Sequence, residues 1–169
     1  TRLIPLLQSE CLLVRIYAAL TLGKLRTAEA VGPILKVVRK GYAFSDSTAL
    51  ASAKHTATIL DVNGKPQRQS QTVRWLGYLC SALGQIGTDD AREALESFVV
   101  DPNAPRDVRY GSVIGLGHIG STESLPALRT VAQKDIIWMV RHVAKEAIQE
   151  IEVGNEERTT TDLWERTLM

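Results

Sequence analysis

Leu, Ile, Val and Ala recur along this chain three and four residues apart. That is the period of a helix with one buried face, not the alternation of a half-buried strand. Four stretches share one template: "VRIYAALTLGKL" (14–25), "WLGYLCSALGQIG" (75–87), "VRYGSVIGLGHIG" (108–120) and "VRHVAKEAIQEI" (140–151). Their closing residues Leu25, Ile86, Ile119 and Ile151 are 61, 33 and 32 residues apart, so the unit is 32 to 33 residues long and the first interval holds an insertion. A short polar break and a second periodic stretch follow the first three: "RTAEAVGPILKVVRK", "TDDAREALESFVV" and "STESLPALRTVAQ". In these, Leu35 and Val38, Leu95 and Phe98, and Leu128 and Val131 recur at i, i+3, so each unit is predicted to be a helical hairpin. Thr88 and Ser121 stand where N-caps belong, and Pro126 falls in a first turn, where a missing N–H costs little. The opening "TRLIPLLQSE" reads as the second helix of a unit whose front is missing, and the chain is expected to be a piece of a longer protein.

The repeat also decides how to read "GSVIGLGHIG" (111–120). Gly115, Gly117 and Gly120 spell the G-x-G-x-x-G of a dinucleotide-binding loop, with Val113 and Ile114 before it and Asp135 at a distance that would suit a ribose. Such a loop follows a strand and opens a helix. "GLGHIG" instead holds the place of "TLGKL" and "ALGQIG", at the end of the first helix of a pair. Gly87 and Gly120 are therefore expected to be left-handed C-caps. Gly77, Gly111, Gly115 and Gly117, at roughly 1 kcal/mol of helix propensity each, are expected where helices approach closely.

A length of 169 residues suffices for one core without metals or disulfides. With 44% apolar but only 5% aromatic residues, that core must consist mainly of small aliphatic side chains, which suits packed helices. A net charge of +1 gives no general pull toward polyanions, and no DNA, RNA or membrane partner is expected. No apolar run approaches the ~20 residues of a membrane span, and no basic-then-apolar leader opens the chain. Cys11 ("ECLLV") and Cys80 ("YLCSALG") sit in apolar surroundings outside any C-x-x-C arrangement. Both are expected to be buried thiols, with a reducing, cytoplasmic setting.

Paired helices, the 32 to 33 residue period and the "VRxxAxxxLGxIG" skeleton resemble HEAT-like repeats, in particular the short variety named after the phycobilisome lyases. The resemblance covers nearly the whole chain except the insertion and the tail. It implies an all-α, right-handed α-solenoid of about four hairpins over residues 1–152, with a non-helical insertion after the first full repeat. It also implies a hydrogen-bonded ladder between units. Arg15, Arg109 and Arg141 match its Arg position, with Asp101 and Asp135 as candidate partners. In the second unit Leu76 holds that position and Arg74 lies two residues earlier, so the ladder is expected to break beside the insertion.

The insertion, residues 41–72, is small, polar and basic. Its "TATILDVNGKPQRQ" places Asn63-Gly64 between strand-tolerant residues, a hairpin signal. As a finger beside the repeats it would offer Lys54, His55, Lys65, Arg68 and Gln69 to a partner. In the tail, residues 153–169, Asp162 and Glu165 form a capping pair for a short helix carrying Leu163, Trp164 and Leu168. That helix would begin the second half of the last unit, cap the stack, or join a second copy of the chain.

HEAT-like repeats include an iron enzyme, deoxyhypusine hydroxylase, whose ligands are His-Glu pairs. Here Val143 follows His142, and neither His55 nor His118 has an adjacent Glu, so that ligand set cannot be assembled. No residue declares itself an acid, base or nucleophile, and Ser112, Ser121 and Ser124 near His118 make no G-x-S-x-G elbow. No cofactor is expected and a non-catalytic role is favoured. In a helical-hairpin solenoid the second helices line the concave side, a continuous site for an extended partner. Lys36, Glu96 and Arg129, joined by Arg39, Arg92 and Lys134, are placed on that face in a row. The expected function is a scaffold or adaptor that binds another protein through this row and the insertion. The alternative is a phycobilin lyase-like or chaperone-like carrier of a tetrapyrrole or similar flat cofactor, with Tyr17, Trp75, Tyr78, Tyr110 and Trp138 available to stack on it.

Overall fold

The computed structural model describes the backbone of residues 2–43, 56–60 and 66–167, and the side chains of residues 2–41 and 75–155. Helices form where the apolar period predicts them: α1 (Leu12–Lys24), α2 (Val31–Ala43), α3 (Gln71–Ile86), α4 (Asp89–Val100), α5 (Arg106–Ile119), α6 (Leu125–Lys134) and α7 (Trp138–Thr167). First helices pack side by side in the order α1, α3, α5, α7. Second helices α2, α4 and α6 form the other layer, each packed against the first helix of the following unit, and α4 also against α3 of its own. The result is an α-solenoid of three hairpins and a fourth first helix.

The core lies between the layers. Each second helix contributes a stripe at helical spacing: Ile34 and Val38 from α2, Leu95, Phe98 and Val99 from α4, Leu128 and Val131 from α6. The central helices α3 and α5 have neighbours on more sides and bury more. Leu76, Leu79, Leu83, Val108, Val113 and Leu116 are fully inaccessible. Each such side chain removed from water is worth roughly 1.5–3 kcal/mol, and no unit could bury its stripe alone.

The three turns that end α1, α3 and α5 share one backbone device. The residue after the closing Leu or Ile has positive φ in each: Arg26 at +49°, Gly87 at +75° and Gly120 at +68°. Glycine adopts that conformation without strain, so the expected caps at Gly87 and Gly120 are present. Thr88 accepts the Ala91 N–H at 3.3 Å to start α4. Ser121 accepts the Glu123 N–H at 3.3 Å to start the 3-10 turn Thr122–Ser124 that leads into α6.

Several boundaries differ from the sequence expectation. At the equivalent place in the fourth unit stands Glu152, not glycine, and α7 runs through it for 30 residues to Thr167. Residues 153–167 therefore extend α7. Asp162 lies inside the helix and opens no second one, and the side chains from residue 156 on, Trp164 among them, lie outside the described residues. The opening stretch is a single 3-10 turn, Ile4–Gln8, with Pro5 in its first positions, and not an α-helix. Helix α2 runs to Ala43 and α3 starts at Gln71, so the insertion is shorter than 41–72. Within it β1 (Thr56–Leu60) pairs antiparallel with β2 (Pro66–Ser70), Thr56 opposite Ser70 and Leu60 opposite Pro66. This is the hairpin expected around Asn63-Gly64, although the turn itself lies outside the described residues.

Of the glycines expected at close contacts, Gly77, Gly111 and Gly115 sit where α3 crosses α5, and they are joined by Gly84, which the sequence reading omitted. A Cβ on Gly77 would come 2.6 Å from the Asp107 carbonyl oxygen, and one on Gly111 would strike the Gly77 main chain. Gly117 differs: its nearest neighbour would be Ala147 at 3.4 Å, an ordinary contact.

Candidate functional site

The Arg position of the repeat is occupied differently in each unit. Arg109, on the first turn of α5, is 7% exposed and reaches across the unit boundary. Its Nε donates to Asp135 Oδ2 at 2.7 Å and one terminal nitrogen to Oδ1 at 3.3 Å, while the other donates to the Ala104 carbonyl. Asp135 Oδ1 also accepts the Ile137 N–H at 2.8 Å, and its main-chain carbonyl accepts from Arg141 at 2.6 Å. These hydrogen bonds take the place of the water that burial removes from the carboxylate. Asp101 accepts the Asn103 N–H at 2.9 Å in its own turn. Arg15 stacks its guanidinium 4.6 Å from the centre of the Trp75 ring, with Nε buried and unpaired in hydrogen bonding.

The expected row on the second helices falls into two kinds of residue. Lys36 and Arg39 on α2 and Lys134 at the end of α6 are exposed. Arg129 is exposed too but pairs with Glu152 of α7 at 2.8 Å. Arg92 and Glu96 are occupied internally. Arg92 holds Glu96 at 2.9 Å and reaches Glu123 at 2.8 Å, while Ser124, fully buried, donates to Glu96 at 2.7 Å. The hydrogen bond to Glu96 raises the Arg92 pKa above its ordinary value, against the opposing effect of burial. The middle of the row is thus a clasp between α4 and the start of α6. Periodicity placed Arg92 and Glu96 on the right helix but could not show that Glu123 and Ser124 meet them.

Of the insertion residues, Lys54, His55 and Lys65 lie outside the described residues. Arg68 and Gln69 lie on β2, opposite Thr58 and Ala57.

Two of the clefts in the surface adjoin residues of the repeat units. One, of about 290 Å³, lies at the C-terminal ends of α4 and α6, with Val99, Val131 and the Arg109–Asp135 pair in its wall and Val100, Ile136, Thr130 and Lys134 at its lip. Ile136 is 85% exposed and Val100 52%. The other, of about 300 Å³, is walled by Gly23, Lys24, Arg26, Gln85 and His118. The signal for it was present in the alignment, since Lys24, Gln85 and His118 each precede a closing residue.

The aromatic residues line neither cleft. Trp75 is buried under Arg15, while Tyr17, Tyr78 and Trp138 are exposed on separate helices. The cysteines also part company. Cys80 is buried, and burial pushes its pKa up to about 12, tempered by the neighbouring Ser112 hydroxyl. Cys11 is exposed, contrary to expectation, because it is the residue before α1 and stands at the helix end rather than on its inner stripe.

No described helix is long and apolar enough to cross a membrane. Comparison with curated proteins gave no significant match. Two family profiles do match, HEAT repeats over residues 67–149 and PBS lyase HEAT-like repeat over residues 14–40. They fall on the helices that stack through equivalent positions and on both sides of the insertion that interrupts them. The chain is a HEAT-like repeat protein.

Proposed function

We propose that the chain is a non-catalytic scaffold or adaptor that binds another protein through its second-helix layer. The observation that carries this reading is the cleft between the ends of α4 and α6. It offers an apolar wall, two exposed aliphatic side chains, Val100 and Ile136, and the exposed cation Lys134 beside them. Exposed aliphatic side chains clustered at a concave place mark an interaction site. A partner suited to it presents an apolar anchor with an acidic residue next to it. Lys36 and Arg39 on α2 extend the basic character along the same layer, and the insertion lies between α2 and α3.

The test uses the immobilised chain and three variants. Lys134→Glu with Ile136→Asp alters the cleft, Lys36→Glu with Arg39→Glu alters the α2 end, and one variant lacks residues 44–70. A protein retained by the wild type and released by the cleft variant, with the helical circular dichroism of the variant unchanged, is the expected result. Retention unaffected by all three variants would overturn the reading. The carrier alternative has less support, because none of its aromatic residues lines either cleft. Mixing with a linear tetrapyrrole is expected to leave the visible spectrum of the pigment unchanged.

A further inference from the structure

Lys24, Gln85 and His118 hold the same place in three successive units, one residue before Leu25, Ile86 and Ile119. Stacking the units brings them together, and with Gly23 and Arg26 they wall the cleft at the C-terminal ends of α1, α3 and α5. Among the described residues Lys24, Arg26 and His118 make no ion pair, whereas Arg92, Arg106, Arg109 and Arg129 each have an acidic partner. Lys36, Arg39, Lys40 and Lys134 also lack an ion pair among the described residues, but this cleft brings two unpaired cations, Lys24 and Arg26, into one wall that holds no acidic residue.

Helix ends account for part of this charge. A cation in a last turn commonly answers free carbonyls there, but here backbone N–H groups already take several of those carbonyls. Leu25 and Arg26 donate to Thr21 and Gly23 at 2.9 Å, and Thr27 donates to Leu22 at 3.1 Å. Gly87 donates to Leu83 at 3.1 Å and Gly120 to Leu116 at 3.0 Å. Lys24, Arg26 and His118 are exposed. Gln85 lies in the same wall and keeps its Oε1 buried without a hydrogen-bond partner.

Arg26 adds a second observation. Its φ of +49° is the conformation that Gly87 and Gly120 adopt at the equivalent places. A side chain there costs about 1–2 kcal/mol that glycine would avoid. The strain puts a guanidinium at the mouth of the cleft. Such a group recognises two oxygens of one anion through paired N–H donors.

We propose that this cleft binds an oxyanion, a phosphate or carboxylate group, with Lys24 and Arg26 supplying the charge and Gln85 and His118 the further hydrogen bonds. Glu150, which holds the same place in the fourth unit, lies with Oε2 3.8 Å from where a Cβ of Gly117 would stand. It closes the row with a negative charge and confines the anion to the Lys24 side. The site is independent of the protein-binding cleft between α4 and α6.

The test is an amide nuclear magnetic resonance titration of the full chain with inorganic phosphate at constant ionic strength. A second arm uses an end-blocked tripeptide with a central phosphoserine. Saturable shifts at Gly23, Lys24, Arg26, Gln85 and His118 are expected. Tighter binding of the peptide assigns the anion to a polypeptide, and equal binding assigns it to the free ion. Arg26→Gly is the decisive variant. It should weaken binding about tenfold, the worth of one charge-assisted contact, while the strain relief leaves the fold as stable as before or more so. Lys36→Ala should bind as the wild type does. Shifts that fail to saturate, or that spread equally over Lys36, Lys40 and Lys134, would overturn the proposal, as would an Arg26→Gly variant that binds phosphate unchanged.

Discussion

Gly84 and Gly115 meet main chain to main chain where α3 crosses α5, so closely that a Cβ on Gly84 would overlap the Gly115 backbone. A methyl group added there has no flexible neighbour to displace. Helix propensity favours Ala over Gly by about 1 kcal/mol, while overpacking a rigid contact typically costs about 1–3 kcal/mol, or more where backbone must move. The steric effect wins, and Gly84→Ala is expected to destabilise the chain in a urea titration. Gly154→Ala is the counterpart. That residue lies inside α7 with nothing within 4 Å of its Cβ position, and the change should stabilise by up to about 1 kcal/mol. Equal effects of the two would refute a close crossing.

Much of this architecture is legible in the residues because period and position answer the same demand. Leu95 and Phe98, or Leu128 and Val131, recur at i, i+3 since one face of each second helix must be covered, and that face is buried as expected. Gly87 and Gly120 announce helix ends because their φ is open to few other residues. Arg26 shows the limit of that rule, since the same turn forms without glycine and so without its signal. The end of α7 was misread for a related reason: with Glu152 at the cap position, nothing halts the helix. The sites were less legible. Arg92 and Glu96 obey the surface period, yet their partners Glu123 and Ser124 come from the next unit, about 30 residues on. The cleft of Lys24, Gln85 and His118 required reading across units at one position, not along a helix.

The Arg109–Asp135 pair should behave as a buried one. The two side chains are 8% and 5% exposed, so solvent screens them little. Removing one partner strands the other charge, which commonly costs about 3–5 kcal/mol. Asp135→Ala also deprives Ile137 and leaves Arg109 with the Ala104 carbonyl alone as acceptor. Its loss of stability, read from chemical denaturation, should be nearly the same at low and high salt. A loss below about 1 kcal/mol that vanishes with salt would mean a solvated surface pair instead.

The clasp between α4 and α6 predicts an order of effects. Glu123 is 67% exposed in its side chain, so its bond to Arg92 is worth at most about 1 kcal/mol. Ser124 is fully buried and donates to a carboxylate, a hydrogen bond worth about 1.5–3 kcal/mol. Ser124→Ala should therefore destabilise more than Glu123→Ala. In a double-mutant cycle Ser124→Ala and Glu96→Ala should be non-additive, since each removes the Ser124–Glu96 contact. Additive effects would show that Ser124 and Glu96 do not meet in solution.

The two thiols should be distinguishable by reagent and by pH. Thiolates react and thiols do not. Cys11 is exposed, whereas Cys80 is buried with its pKa pushed up to about 12. A disulfide reagent at pH 8 is expected to modify Cys11 alone in the native chain and both cysteines in denaturant. The same shift ties Cys80 to stability. An unfolded Cys ionises near about 8.5, and the folded one ionises only as pH approaches about 12. The unfolded state therefore gains a charge first, and the contribution of Cys80 is fully present below pH ~8.5 and lost as pH rises toward 12. Cys80→Ala removes that titration and, with it, part of the alkaline loss of stability, at the cost of some packing. Two equally fast thiols in the native chain would place Cys80 at the surface and contradict the packing of α3 against α5.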